Sequence, residues 1–411
     1  MGELRLNLSW LVLILATGIL SIIYLYFTLF PGEITVDALQ YFSKEKIMQG
    51  MQYTRSVRLL FISAFIVKVV FLTWVLLSGR AVNLTHYAMK LAGNRYYLGI
   101  IIFFIIFWLI LQLITFPFKF YGNFILQHQW GFSTQSLASW WLDYFKSAGL
   151  GFILTFFGVL VLFFLMNGWP RIWWLLVSIL LSLWLVMQTF LWPVIIAPLF
   201  DKFEPVTNPE IIEMVDKLSK KADLPIEEVL VMDASRRTRA ANAYFAGLGR
   251  SKRIVLYDNM LKEYDLEEIE AVLAHEMAHW KKGHIIKGIL MGIVGLFAAW
   301  GLFYLMLHLS FSRYLFSMKY PPVVWALVIY FFLLISFITM PVQNSISRAM
   351  EKEADTVAVE LTENKEAAIK LQKHLAVNNL SDVSPPPFIE WFAYSHPSTL
   401  NRINLIEKMD N

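Results

Sequence analysis

The chain has 411 residues, of which 57% are hydrophobic, 16% aromatic and only 16% charged, with a formal net charge of +4. Soluble globular proteins carry about 25% charged residues, so an ordinary soluble enzyme is excluded and most of this chain faces lipid. The positive charges are spread over loops without interleaved base-stacking aromatics, which argues against a nucleic-acid partner, and the absence of cysteine excludes disulfides and thiolate metal ligands.

In chain order, windows free of Asp, Glu, Lys and Arg cover residues 6–32, 96–118, 147–170, 172–200, 288–312 and 320–347. Each is longer than the roughly 20 residues that cross a bilayer. A seventh, over 59–79, is interrupted only by Lys68, whose stem can snorkel or whose charge can face water inside a bundle. Seven transmembrane helices are therefore predicted. The first is too long for the apolar region of a signal peptide and lacks a small-residue cleavage site, so we expect it to be retained. Two polar stretches, 201–287 and 348–411, fall on the same side of the membrane when seven spans are threaded. Lysines and arginines in the short loops do not decide which side that is.

Within 201–287, residues 208–222 have helical character. Apolar runs at 229–232, 241–246 and 253–257, separated by charged or glycine-containing turns, predict a small antiparallel sheet. Asp265 with Glu268 three residues on forms a capping box that opens a further helix. That helix carries His275-Glu276-Met277-Ala278-His279. Two histidines four apart share one helix face and can hold zinc, with the glutamate beside them as general base. Glu267, Glu268 and Glu270 before the motif, and Lys281 and Lys282 after it, keep this helix out of the hydrocarbon.

An open catalytic zinc site needs a third protein ligand. The best candidate is Glu351, which the chain brings back to the same face after two further spans. Glu351 and Asp355 share a helix face at i,i+4 while Glu353 points away, so one of the pair binds metal and the other orients a ligand histidine. Zinc would activate a water and polarise a peptide carbonyl, with Glu276 moving the proton to the leaving amine. His396, in a loop beyond the second polar helix, lies on the correct side to stabilise the developing oxyanion. Pro385-Pro386-Pro387 reads as a rigid turn.

The predicted organisation is mainly α: 1–200 with spans one to five, 201–287 as a metalloprotease segment with the small sheet and zinc helix, 288–347 with spans six and seven, and 348–411 with the third ligand and His396. Two other classes compete with a membrane zinc endopeptidase. Charges flanking the zinc helix argue against a protease that cuts inside transmembrane helices, and no pair of broken helices marks a transport site.

Taken together, Pro198-Leu199-Phe200-Asp201-Lys202-Phe203, Asn242-Ala243-Tyr244-Phe245, the run from His275 to His284, Ser347-Arg348 with Glu351 and Ala354-Asp355, and Ser395-His396-Pro397 followed by Arg402 resemble the type I CAAX prenyl proteases. The resemblance implies a water-filled chamber among the helices, with Lys68 facing it. It also implies His275, His279 and Glu351 as ligands of one zinc per chain, Glu276 as base, Asp355 behind the ligands, Asn242 as a substrate-backbone contact and His396 as transition-state stabiliser. His284 matches a packing position and is not counted as a ligand. The expected partners are the bilayer and a peptide or protein substrate, lipidated or not; a monomer suffices. Short loops, and a terminus of Lys408-Met409-Asp410-Asn411 without a retention signal, favour a bacterial inner-membrane protein over one of the endoplasmic reticulum, with the active site on the cytoplasmic side. Prenyl-peptide processing and bacterial membrane-protein quality control both stay open.

Overall fold

The computed structural model describes residues 7–226, 228–246, 253–310 and 319–409. The ends of two predicted spans, Leu6 and 311–312, and the terminal 410–411 lie outside these residues. Helices α1 (Leu8–Leu29), α2 (Val36–Tyr41), α3 (Lys44–Leu77), α4 (Arg80–Leu91), α5 (Tyr96–Phe120), α6 (Leu126–Gln129), α7 (Leu137–Gly168) and α8 (Trp173–Leu191) come first. They are followed by β1 (Phe203–Pro205), α9 (Pro209–Ala222), β2 (Glu228–Met232), β3 (Ala243–Ala246), β4 (Arg253–Tyr257), α10 (Asp258–Glu263) and α11 (Leu266–Lys281). The chain closes with α12 (His284–Ser310), α13 (Val323–Thr362), α14 (Lys365–Asn378), α15 (Pro387–Ala393) and α16 (Thr399–Glu407).

Among the described residues seven helices are long and apolar enough to cross a membrane: α1, α3, α5 continuing into α6, α7, α8, α12 and α13. In hydrocarbon every backbone polar group must be satisfied within the segment, which a continuous helix does. Leu15, Ile22, Val70, Leu113, Phe157, Leu183 and Val294 point outward, as a lipid-facing surface requires. Inside, Trp10 stacks on Tyr330 at 5.8 Å, and Phe103, Phe163, Trp173 and Phe331 are fully buried around them. A cavity of about 580 Å³ lies among the helices, lined in part by Gln112, Lys119, Asn123, Asp143 and Arg237. Lys68 is half-buried within electrostatic reach of Lys119.

The sheet departs from the sequence reading. Its order is β1-β2-β4-β3; β1 pairs with β2 and β3 with β4 antiparallel, but β2 and β4 run parallel. The predicted three-stranded antiparallel sheet is thus a four-stranded mixed one. Alternating apolar residues identify a strand but not its direction, and the stretch between β2 and β3 is long enough to carry the chain back across the sheet. The three-residue β1 is too short to show a period. The run predicted from residue 241 starts as β3 at Ala243, with the Asn242 carbonyl still accepting from the Tyr257 N–H at 3.0 Å.

α9 starts after the N-cap Asn208 and buries Ile211, Val215 and Leu218 against Ile254 and Leu256 of the sheet and Leu273 and Met277 of α11. The capping box at Asp265 and Glu268 forms as expected. α13 runs unbroken for 40 residues, about 60 Å at 1.5 Å per residue, so a membrane span and a polar helix are one rod. Alanines 271, 274 and 278 of α11 and 354 and 358 of α13 are buried in one cluster, which lets the two helices approach closely. Arg237 binds Asp143 of α7 at 3.1 Å and Asp201 at 3.3 Å, tying the sheet region to the spans.

Candidate active site

α11 and α13 position the site. His275 and His279, one turn apart on α11, meet Glu351, which stands where α13 leaves its apolar stretch. His279 Nε2 lies 3.1 Å from His275 Nε2, and Glu351 lies 3.2 Å from His275 Nε2 and 3.3 Å from His279 Nε2. Among the described residues these three form the one group of histidines and acids whose ligand atoms converge, all within 4.8 Å. Tetrahedral zinc with Zn–N near 2.0–2.1 Å has ligand-to-ligand edges of about 3.3 Å. Glu351 Oε2 is buried and receives no hydrogen bond, an orphaned acceptor that a cation would satisfy. Two imidazole nitrogens and a carboxylate aimed at one point therefore fit zinc.

Asp355 sits behind His275, its Oδ1 3.0 Å from Nδ1. Burial opposes a proton on His275, but the carboxylates of Asp355 and Glu351 close beside it outweigh burial and push the imidazole up to about 9. Metal must displace that proton, so metal affinity falls as pH drops. Burial raises the Glu276 carboxyl above its ordinary value, while His275, His279 and the Phe245 N–H of β3 hold it back. A base whose pKa is moved toward neutrality is suited to proton transfer. Phe245 also stacks on Trp280 of α11, ring centroids 5.1 Å apart, which locks the edge strand to the zinc helix.

His396, in the loop between α15 and α16, is exposed, with Nε2 3.4 Å from Glu351 Oε1. Asn242 is exposed at the mouth of a cleft that also includes His275, Glu276, Asp355, His396 and Arg402. All seven sequence-predicted residues are thus brought together.

Three residues named in the sequence reading make contacts it did not foresee. Arg402 of α16 grips Asp355 with two hydrogen bonds, Nε to Oδ2 at 2.8 Å and Nη2 to Oδ1. His284, set aside as packing, is buried with Nδ1 2.9 Å from His279 Nδ1 and Nε2 3.0 Å from Glu353. Glu353 does face away from the convergent atoms, and there it also meets Lys282 at 3.3 Å. A carboxylate thus backs each histidine, Asp355 directly and Glu353 through His284, which fixes the tautomer each presents. Asp355→Asn should weaken zinc binding by roughly 10- to 100-fold, measured by competition with a chromogenic chelator; unchanged affinity would return Asp355 to a purely structural role.

Residues 205–410 match the model of peptidase family M48, and residues 32–202 match that described as CAAX prenyl protease N-terminal, five membrane helices. An uncharacterized metalloprotease, YhfN, from Bacillus subtilis is 34% identical over 74% of this chain and 72% of its own. The CAAX prenyl protease 1 homolog of Arabidopsis thaliana is 32% identical over 73% of this chain and 71% of its own. The crystal structure of S. mikatae Ste24p superposes with a TM-score of 0.85 at 22% identity, covering 98% of this chain and 100% of that one. The convergent His-His-Glu group therefore sits within the matched peptidase region, and the chain belongs to peptidase family M48, as a multi-pass membrane zinc metalloprotease.

Proposed function

We propose that the chain is an endopeptidase holding one zinc ion through His275, His279 and Glu351, and that it hydrolyses peptide bonds of membrane-associated substrates laid along β3. The observation that carries this reading is the convergence of those three side chains, with Glu276 lining the same cleft. In this reading the segments 201–287 and 348–411 form one peptidase unit, and 1–200 and 288–347 its membrane support. The whole ligand set lies within one chain, so a monomer is sufficient.

Zinc, when bound, supplies Lewis acidity toward water and a peptide carbonyl. Glu276 takes the proton of the attacking water and delivers it to the leaving amine as the C–N bond breaks. β3 is an edge strand. Its pairing with β4 turns the backbone groups of Ala243 and Phe245 toward the free edge, where an extended peptide can add. Asn242 contacts the substrate backbone at the end of that edge. Asp355, clamped by Arg402, holds the His275 ring.

His396 donates to the oxyanion. His396→Ala should leave zinc content intact and lower kcat by roughly 10² to 10³ with little change in KM. Loss of zinc, or an unaffected kcat, would remove His396 from this role.

The relatives named CAAX prenyl protease 1 support cleavage near the C-terminus of a lipidated protein. The second reading is quality control of bacterial membrane proteins with the peptidase unit on the cytoplasmic face; the Bacillus relative supports it only in that a bacterium also has a metalloprotease of this kind. The experiment that tests the shared core is peptide cleavage by purified protein before and after chelation. Activity should vanish with the metal and return at one zinc equivalent per chain; cleavage that persists in metal-free protein would overturn the reading.

A further inference from the structure

The side chain of His396 is 57% exposed, with Nε2 3.4 Å from Glu351 Oε1. Little packs against so open a ring, so its distance from the ligand carboxylate is set by the backbone of the loop that carries it. That loop, 394–398, is suspended from α13 at both ends. On its upstream side Asn344 Nδ2 donates to the Phe392 carbonyl at 2.7 Å, and Arg348 Nη1 donates to the carbonyls of Glu390 and Tyr394 at 2.8 and 2.5 Å. Carbonyls at the C-terminus of a helix run out of intrahelical partners, and here two side chains of α13 supply them. On the downstream side Arg402 of α16 grips Asp355.

Phe337 of α13 belongs to the same arrangement, its ring 4.9 Å from that of Phe392. At 3.6 residues per turn, Phe337, Asn344, Arg348, Glu351 and Asp355 fall within about 60° of one another. They form one stripe, in which the metal ligand stands between the groups that hold α15 and the one that holds α16. Because α13 is unbroken over this stretch, the ligand and the histidine loop share one rigid frame. The loop is also closed on itself by Glu390, whose carboxylate accepts from the Ser398 N–H at 3.0 Å and from Asn401 Nδ2 at 2.8 Å. Arg348 therefore reaches both sides of His396, upstream directly and downstream through Glu390. The segment leading into α15 is anchored elsewhere, with Asp382 accepting from Arg58 Nη2 of α3 at 2.6 Å. α15 also buries Ile389 and Phe392, so it stays docked when Arg348 is removed.

We propose that Arg348, assisted by Asn344, is a positioning residue: it fixes the main chain on either side of His396 and so sets the reach of that ring toward the reacting carbonyl, without joining the ligand set. The proposal rests on the reading that His396 donates to the oxyanion. A catalytic group misplaced by about 1 Å costs on the order of 10²-fold in rate, so a tether of this kind acts on kcat.

The test is a double-mutant cycle on the full chain, with a quenched fluorogenic peptide that wild type cleaves. Arg348→Met keeps the aliphatic stem and removes the donors; it should lower kcat by about 10- to 100-fold with KM and zinc content close to wild type. In a His396→Ala background the same substitution should cost less than about twofold, because a group that acts only through His396 has nothing left to act on. One nitrogen holds both carbonyls, so a lysine ammonium can take its place and Arg348→Lys should recover most of the turnover. Asn344→Leu should repeat the pattern on a smaller scale, and it carries the cycle if Arg348→Met yields no folded protein. Equal losses in both backgrounds, or zinc lost from Arg348→Met, would make Arg348 a general structural support and overturn the proposal. Normal kcat in Arg348→Met beside an impaired His396→Ala would overturn it as well. Normal kcat in His396→Ala would instead remove the reading on which it rests.

Discussion

Glu276→Gln is expected to keep its fold and its zinc while losing roughly 10² to 10⁴ of its turnover, the usual cost of removing a general base. Glu276 stands between the two histidines in sequence but is not one of the convergent groups, so its replacement leaves the ligand set whole. The amide is isosteric and can still receive the Phe245 N–H that the carboxylate attracts. What it cannot do is take a proton from water. Zinc content by mass spectrometry, melting temperature and peptide turnover measured on the same preparation separate these effects. Turnover close to wild type would sink the mechanism, and zinc loss with preserved fold would move Glu276 into the ligand set.

Much of this site was legible because the deciding signals were local or were carried by chain topology. Spans announce themselves as long charge-free windows. The zinc helix is marked by its i,i+4 histidines and its capping box, and Glu351 follows because two spans must return the chain to the face it left. What escaped depends on contacts between segments with no mutual signal. Arg58 and Asp382 are separated by 324 residues, and nothing local distinguishes that arginine from a headgroup anchor. Helical periodicity placed Glu353 on the opposite side of α13 from Glu351, but could not show that His284 at the start of α12 waits there. The parallel pairing of β2 with β4 was invisible for a similar reason, since strand direction is set by the path of the loop.

Glu351→Ala should abolish tight zinc binding, and with it nearly all activity. With two imidazoles alone the ion would lose its only anionic ligand in a buried site, and an open catalytic centre needs three protein ligands. The geometry makes the assignment specific. Glu351 reaches both histidines within 3.3 Å, whereas Asp355 is held by Arg402 and faces the far nitrogen of His275, and Glu353 is occupied by His284 and Lys282. His275→Ala should behave alike, since it removes both a ligand and the partner of Asp355. The measurement is zinc per chain after dialysis against a weak chelator, alongside thermal melting with and without added zinc. Wild type should gain stability on adding the ion, because a ligand that binds the folded state alone stabilises it, and Glu351→Ala should show no such gain. Full zinc occupancy in Glu351→Ala would refute the ligand set, and Asp355 would be the first group to examine, because rotation of its carboxylate away from Arg402 is the shortest route to a replacement ligand.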